Sequence, residues 1–166
     1  MKENDNPYKT LWHLIKDIKF GMFCHRHADG RLHAHPLTTQ KRSLDEKGML
    51  YFFVSRATEL GQRVQADGNV CVTYGDLKED TWVSVSGTAR INEDRGLKEK
   101  LFNPMVKAWF PGGVDDPDME LVEVHIEHAE YWDIHESKMT QLLKMAKAAV
   151  TGNPPHMGEH KELNLG

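Results

Sequence analysis

Apolar residues recur with a period of two, or in short continuous runs, along six segments of the chain. This pattern is typical of β-strands with one or both faces buried. It is clearest in 81–92, where Val83 and Val85 alternate with Ser84 and Ser86. The other predicted strands lie at 20–26, 31–40, 49–56, 69–76 and 121–134. We expect one face of strand 81–92 to be buried and its polar face to be free to line a site.

Segments between and after these strands have apolar residues at helical spacing. The first, from about 7 to 19, has an apolar stripe made by Leu11, Leu14, Ile15 and Ile18. Further helices are predicted from Thr58 to about Ala66, on both sides of Pro104, and over 137–150 before Gly152. Proline interrupts a helix and glycine commonly ends one.

Short links between the strands indicate antiparallel pairing. Asp29-Gly30 is a strong hairpin signal, because glycine tolerates the positive φ of a tight turn. The link LDEKG at 44–48 is also short, so we expect the first three strands to form a meander. Together with the helices, the strands predict an α+β fold, mainly β, around a closed or partly closed antiparallel barrel.

Length and charge restrict the class of protein. A chain of 166 residues predicts a single domain, here 1–150, followed by a flexible tail at 151–166. The net charge of −4, with interspersed signs, argues against nucleic acid as a partner. No apolar run approaches the roughly 20 residues of a membrane span, and the polar N-terminus lacks the apolar region of a secretory signal. We therefore expect a cytoplasmic protein with no membrane partner, in which Cys24 and Cys71 stay reduced.

Hydroxyl and guanidinium groups meet a predicted helix start at Ser55, Arg56 and Thr58. Side-chain donors and free helix N–H groups together can hold a phosphate, and Lys41 and Arg42 would add positive charge. An equally simple interpretation is an ordinary helix entry with Thr58 as N-cap, and base rates favour it when these residues are taken alone.

Ten histidines raise the question of a metal site. His33 and His35 point to the same side of a predicted strand, but neither H-E-x-x-H nor C-x-x-C is present. We interpret the histidines as scattered surface residues and predict no metal site. A G-x-S-x-G nucleophile motif is also absent, and Gly112-Gly113 does not lie between a strand and a helix as a dinucleotide fingerprint would.

Several motifs together carry a family resemblance. They are HAHPLTTQ at 33–40, LYFFVS at 50–55, SGTARI at 86–91, AWFPGG at 108–113 and AEYWDI at 129–134. Their order over 11–150 resembles the general stress protein 26 type of the pyridoxamine 5′-phosphate oxidase-like family. The resemblance implies an antiparallel six-stranded split β-barrel with flanking helices and a C-terminal helix. It also implies a homodimer with FMN in the groove between subunits.

The resemblance assigns cofactor contacts on two strands. His35, Pro36, Leu37 and Thr38 match the strand whose backbone follows the flavin ring, and His35 replaces an arginine that reaches the phosphate in close relatives. Phe53, Val54 and Ser55 match the strand that covers the isoalloxazine edge. Hydrogen bonds near the flavin nitrogens would come from Thr38, Thr39 and Gln40.

The remaining assignments concern the phosphate end, the partner subunit and the substrate. Thr58 matches a hydroxyl at the phosphate end, whereas Glu59 and Leu60 replace two basic residues of the true oxidases. Trp132 matches a tryptophan that packs on the flavin from the partner subunit. The substrate-binding Arg-x-His pair of the oxidases is absent from 133–137, so pyridoxamine phosphate oxidation is not expected.

The expected function is that of an FMN-binding oxidoreductase with a small-molecule redox substrate and unassigned catalytic residues. A flavin-binding or sensing module without turnover is the alternative, and a flavin-free barrel that only dimerises is a third. Dimerisation would bury an aromatic group made by Trp109, Phe110, Tyr131 and Trp132.

Overall fold

A computed structural model describes residues 6–40, 47–134 and 136–165. The helices are α1 (Pro7–Ile15), α2 (Glu59–Arg63), α3 (Arg95–Leu101), α4 (Pro104–Trp109) and α5 (Lys138–Thr151), with a 3₁₀ turn at Gly113–Asp115. The strands are β1 (Gly21–Arg26), β2 (Leu32–Leu37), β3 (Met49–Ser55), β4 (Asn69–Asp76), β5 (Thr81–Asn92), β6 (Met119–Asp133) and β7 (Glu159–Asn164). No helix among the described residues is both long and apolar enough to cross a membrane.

All seven strands form one antiparallel sheet with the order β2-β1-β4-β5-β6-β3, and β7 is added alongside β6. The two ends of this order come together, because the Gln40 N–H donates to the Tyr51 carbonyl oxygen at 2.9 Å. The sheet is therefore a curled, split barrel that carries helices. This confirms the predicted fold class and adds a strand to the six that were predicted.

Two apolar clusters fill the fold. Val83 and Val85 lie in the main cluster with Phe23, Phe52 and the apolar stripe of α1, as their alternation predicted. The second cluster joins the outer face of β3 and the start of β6 to α3 and α4; its members are Phe53, Leu101, Val106, Phe110, Met119 and Leu121. The apolar stripe of α1 thus packs into the main core of the barrel, and the short helices α3 and α4 cover part of its outer surface.

The predicted meander is wrong at its third strand. β1 and β2 form the expected hairpin, with Gly30 at φ +87°, but β3 pairs with β6 at the other end of the sheet. Both faces of β3 need apolar cover: Phe52 packs in the main cluster and Phe53 in the second. β3 meets the segment after β2 through the Gln40–Tyr51 bond, whereas its full ladder is formed with β6, so the barrel is split between β2 and β3.

The C-terminal segment was predicted to be flexible, yet 159–164 form β7 against 128–133 of β6. β3 covers that edge of β6 only over 119–125, so β7 pairs with the backbone groups that β3 leaves open. Leu165 is buried, and the Tyr8 hydroxyl donates to its carbonyl oxygen at 3.0 Å. Because backbone pairing supplies most of this attachment, the polar sequence EHKELN gives little sign of it.

Three helix boundaries agree with the sequence signals, and two helices are shorter than predicted. Thr58 is the N-cap of α2, the helical region before Pro104 ends at Leu101, and Gly152 ends α5 with φ +71°. α1 ends at Ile15, four residues before its predicted end, and α2 ends at Arg63.

The apolar face of α5 is exposed, with Met139, Leu142 and Leu143 all more than 60% accessible.

Candidate functional site

The predicted phosphate donors lie at the end of β3, where carboxylates from the start of β6 already engage them. The Ser55 hydroxyl donates to Asp118 Oδ2 at 2.6 Å. The Ala57 amide, two residues further on, donates both to Ser55 Oγ at 3.1 Å and to Asp118 Oδ1 at 3.2 Å. Asp118 therefore occupies the position at which an anion would meet these donors.

Arg56 is paired in the same way. Its Nε lies 3.1 Å from Oε1 of Glu120, whose side chain is only 8% exposed. Burial raises the pKa of the Glu120 carboxyl, and the Arg56 charge opposes that rise. Arg56 thus compensates a buried carboxylate of the protein, so its charge is not free for a ligand. Lys41 and Arg42, the other predicted cations, lie outside the described residues.

Thr58 performs the capping role that the simpler interpretation gave it. Its hydroxyl accepts from the Gly61 amide at 3.2 Å and donates to the Ser55 carbonyl oxygen at 2.7 Å. The helix that it opens, α2, has only five residues. The segment 55–58 therefore fits an ordinary helix entry, and its role in phosphate binding stays a prediction.

β2 and the residues after it form an open edge of the sheet. Pro36 and Thr38 are exposed, and Leu37 is half-buried. Thr39 is held by a 2.6 Å hydrogen bond between its hydroxyl and that of Tyr74, whose pKa is raised by burial. Gln40 is buried, where its Oε1 accepts from Asn103 Nδ2 at 3.0 Å and its Nε2 donates to the Thr38 carbonyl oxygen at 3.3 Å. The segment proposed to tune the cofactor is thus held by Tyr74 of β4 and by Asn103, the N-cap residue of α4.

Phe53 and Val54 are both buried, on opposite faces of β3. Phe53 contacts Phe102 edge-on, with ring centroids 6.5 Å apart. Their side chains contribute to the two cores, so any contact that these residues make with a cofactor would come from the backbone edge of β3.

Trp132 lies on the outer face of the sheet, in a different region from the end of β3. It is 37% exposed, stacks on His160 at 5.0 Å, and stands opposite Trp82 in the strand register. Exposed apolar side chains surround the two tryptophans, namely Phe20, Met22 and Leu77. Phe110 and Tyr131, which we had grouped with Trp132, are instead buried in the two cores. The apolar groove around Trp82 and Trp132 is called the tryptophan groove below.

The hairpin of β1 and β2 gathers four histidines on one face, in a group that we call the histidine tetrad: His25, His27, His33 and His35. One ring nitrogen from each lies within 4.8 Å of those of the others. The sequence pattern placed only His33 and His35 of these four on one side of a strand, and the interpretation of the histidines as scattered surface residues is wrong for the tetrad. The sequence does contain a signal for this cluster. Two H-x-H pairs, at 25–27 and 33–35, lie on either side of the predicted hairpin turn.

Comparison with known proteins identifies the family. Residues 6–156 match the family model described as pyridoxamine 5′-phosphate oxidase like. General stress protein 26 of Bacillus subtilis is 31% identical over 81 residues, which cover 47% of this chain and 57% of that protein. The chain spans 57% to 62% of the length of the curated relatives it matches.

Solved structures agree with this match. A protein of Jannaschia sp. CCS1, described as a general stress protein 26, is 27% identical with a TM-score of 0.70, covering 92% of this chain and 94% of its own. The general stress FMN/FAD binding protein of Xanthomonas citri is 28% identical with a TM-score of 0.67, covering 79% and 90%. With the split barrel in place and the family model matched over most of its length, this chain belongs to the pyridoxamine 5′-phosphate oxidase-like family.

Proposed function

We propose that this protein binds a flavin, in the form of FMN, at the open edges of β2 and β3 and uses it as a redox group. The support from relatives is the Xanthomonas citri protein, which is described as binding FMN or FAD. The support from this chain is the pair of open strand edges at the split in the barrel. The substrate would be a small redox molecule that reaches the flavin from solvent.

The open edges are the observation that carries the proposal. Among the described residues, β2 pairs only with β1, and β3 pairs only with β6. The bond from Gln40 to Tyr51 brings these edges close to each other. Unpaired backbone N–H and C=O groups along an edge are donors and acceptors that a planar polar ring can use. An isoalloxazine presents such groups along one side, so a site between the two edges fits it.

A flavin bound here would supply the electron transfer, and the protein would orient it. Thr39 and Gln40 have fixed positions through Tyr74 and Asn103, so they offer defined dipoles next to the open edge. Pro36 has no backbone N–H, so its carbonyl oxygen is the only backbone hydrogen-bonding group at that position. These residues would bind and orient the ring, and no general acid or base is assigned to them.

The phosphate should contribute little to affinity. Ser55 and Arg56 are engaged by Asp118 and Glu120, and the first residue of α2 is the carboxylate Glu59. Burial and the neighbouring His33 lower the pKa of His35, so this ring is not a cation at neutral pH. Each charge-assisted hydrogen bond that is missing costs about 1.5–3 kcal/mol, which is roughly ten- to a hundredfold in affinity.

We further propose a homodimer that buries the tryptophan groove. Trp82 and Trp132 are 44% and 37% exposed, and contiguous apolar surface of this kind commonly marks a protein interface. A second copy is a natural occupant, because a patch on a two-fold axis covers itself. Trp132 would then pack near the flavin of the partner subunit.

The test is a titration of the purified protein with FMN, riboflavin and FAD, followed by quenching of flavin fluorescence. Binding of FMN and riboflavin with dissociation constants within about tenfold supports a ring site with a weak phosphate contact. FMN that binds a hundredfold tighter would show that Ser55 and Arg56 do leave Asp118 and Glu120. Failure of all three flavins to bind would overturn the proposal.

The alternative is a flavin-binding module without turnover. It is favoured by the absence of an assigned acid or base among the described residues of the open edge. Oxidation of NADH or NADPH by the flavin-loaded protein separates the two, because a sensing module would bind flavin without sustained turnover.

A further inference from the structure

The histidine tetrad arises from the pairing of β1 with β2. His25 is the direct register partner of His33, and His35 faces Phe23 two positions further along. Because side chains alternate across a strand, His25, His33 and His35 project from the same face, and His27 follows two residues after His25. The hairpin register thus places four imidazoles together.

The ring nitrogens lie close together. His25 Nε2 lies 3.0 Å from His35 Nε2, and His27 Nε2 lies 2.7 Å from His33 Nδ1. All four ligand atoms fall within 4.8 Å of one another. Around a tetrahedral zinc ion with Zn–N bonds of about 2.0–2.1 Å, the nitrogens lie about 3.3–3.4 Å apart. To surround one ion, the two short pairs must open slightly and the longest separations must close by up to about 1.5 Å, through rotation of the rings.

Glu59, the first residue of α2, is a hydrogen-bond partner for one of these rings. Metal-binding histidines usually have such a partner on the ring nitrogen that does not bind the metal. Its Oε2 lies 2.6 Å from His27 Nδ1, and its Oε1 accepts from the Ala28 amide at 3.2 Å. A carboxylate on one ring nitrogen orients the imidazole and leaves the other nitrogen for a metal.

Burial adds to this geometry. His25 is only 2% exposed, so the tetrad includes a deeply buried imidazole.

We propose that His25, His27, His33 and His35 bind one divalent late transition metal ion, with Glu59 as the group that orients His27. The donor set contains four imidazole nitrogens and no first-contact oxygen, which suits Zn²⁺, Cu²⁺ or Ni²⁺ and not Mg²⁺ or Ca²⁺. The site goes beyond the flavin function and does not depend on it.

The experiment uses the full chain freed of metal with EDTA and without flavin. Zn²⁺ is titrated against a chromophoric chelator, and bound zinc is counted by elemental analysis after gel filtration. One zinc per chain is expected. Co²⁺ should give the strong visible absorption of a tetrahedral nitrogen site. Absence of stoichiometric zinc would overturn the proposal.

Variants decide whether the tetrad is the site. His33 is exposed, so the His33→Ala variant should fold normally. It should bind zinc at least about a hundredfold more weakly, because the loss of a metal ligand costs more than the loss of a residue that only orients a ligand. Glu59→Gln should weaken it about ten- to a hundredfold. His13→Ala, which removes an exposed histidine from α1, should leave binding unchanged. Equal binding by the wild type and His33→Ala would show adventitious binding elsewhere and refute the assignment.

Discussion

Replacing Arg56 with glutamine should destabilise the protein in a pH-dependent way. The variant leaves the Glu120 carboxylate without its cation, and this side chain is only 8% exposed. Its Oε2 has no hydrogen-bond partner among the described residues. Removing one member of a buried pair costs about 3–5 kcal/mol. Because Arg56 itself is 60% exposed, we expect the lower figure of about 1–3 kcal/mol for an unsatisfied buried acceptor.

The sign of the pH dependence follows from Glu120. Burial raises its pKa in the folded protein above the ordinary 4.5, and loss of Arg56 raises it further. The folded variant then binds a proton more readily than the unfolded chain, so it loses stability as the pH rises through this window. The loss of folding stability relative to wild type should be largest at pH values above the raised pKa of Glu120. It should be smallest near pH 4.5, the ordinary pKa of this carboxyl group.

Urea unfolding at about pH 5 and pH 8 measures this deficit as a difference between variant and wild type. Arg56→Gln combined with Glu120→Gln should recover much of the lost stability, because no buried charge then lacks a partner. An equal deficit at both pH values, or a double variant no more stable than Arg56→Gln, would refute the role we assign to the pair. Preferential loss of FMN over riboflavin binding in Arg56→Gln would instead place this guanidinium at the phosphate.

Three further predictions concern the sheet, the groove and the last strand. Gly87→Ala places a Cβ 1.9 Å from a carbonyl oxygen of β6 and should lower the free energy of unfolding by at least about 1–3 kcal/mol. Gly96→Ala, in the first turn of α3, places a Cβ 3.3 Å from the Asp94 side chain and should change this free energy by no more than about 1 kcal/mol. Equal effects would contradict the close approach at Gly87. Trp132→Ala should weaken flavin binding by about 1–3 kcal/mol and shift the proposed dimer toward monomer in sedimentation, and an unchanged association state would argue against an interface at the tryptophan groove. Truncation after residue 158 removes β7 and buried Leu165 and should lower the unfolding temperature, and an unaltered temperature would mean that β7 adds no stability.

Local patterns in the sequence determined most of the elements of this fold. The alternation in 81–92 predicted β5 at its observed bounds, since period-two burial depends only on neighbouring residues. Pro104 separated α3 from α4, Gly152 ended α5, and Thr58 capped α2, each through backbone chemistry at that residue. The motif order also identified the family, because it reflects the whole chain rather than any one contact.

Tertiary structure decided which elements pair and which side chains meet. β3 forms its ladder with β6, and its two faces contribute to both apolar clusters, so its place depends on β6, α3 and α4, which come later in the chain. β7 is attached by backbone hydrogen bonds, which its polar side chains do not reveal.

The candidate site shows the same division. Sequence placed Ser55 and Arg56 at a helix entry, but only the register of β3 on β6 brings Asp118 and Glu120 against them. The histidine tetrad likewise depends on the exact pairing of β1 with β2, since a shift of one residue would turn one pair of rings to the opposite face. Spacing along the chain reports the face of a residue within its own strand, whereas register between strands decides what that face contacts.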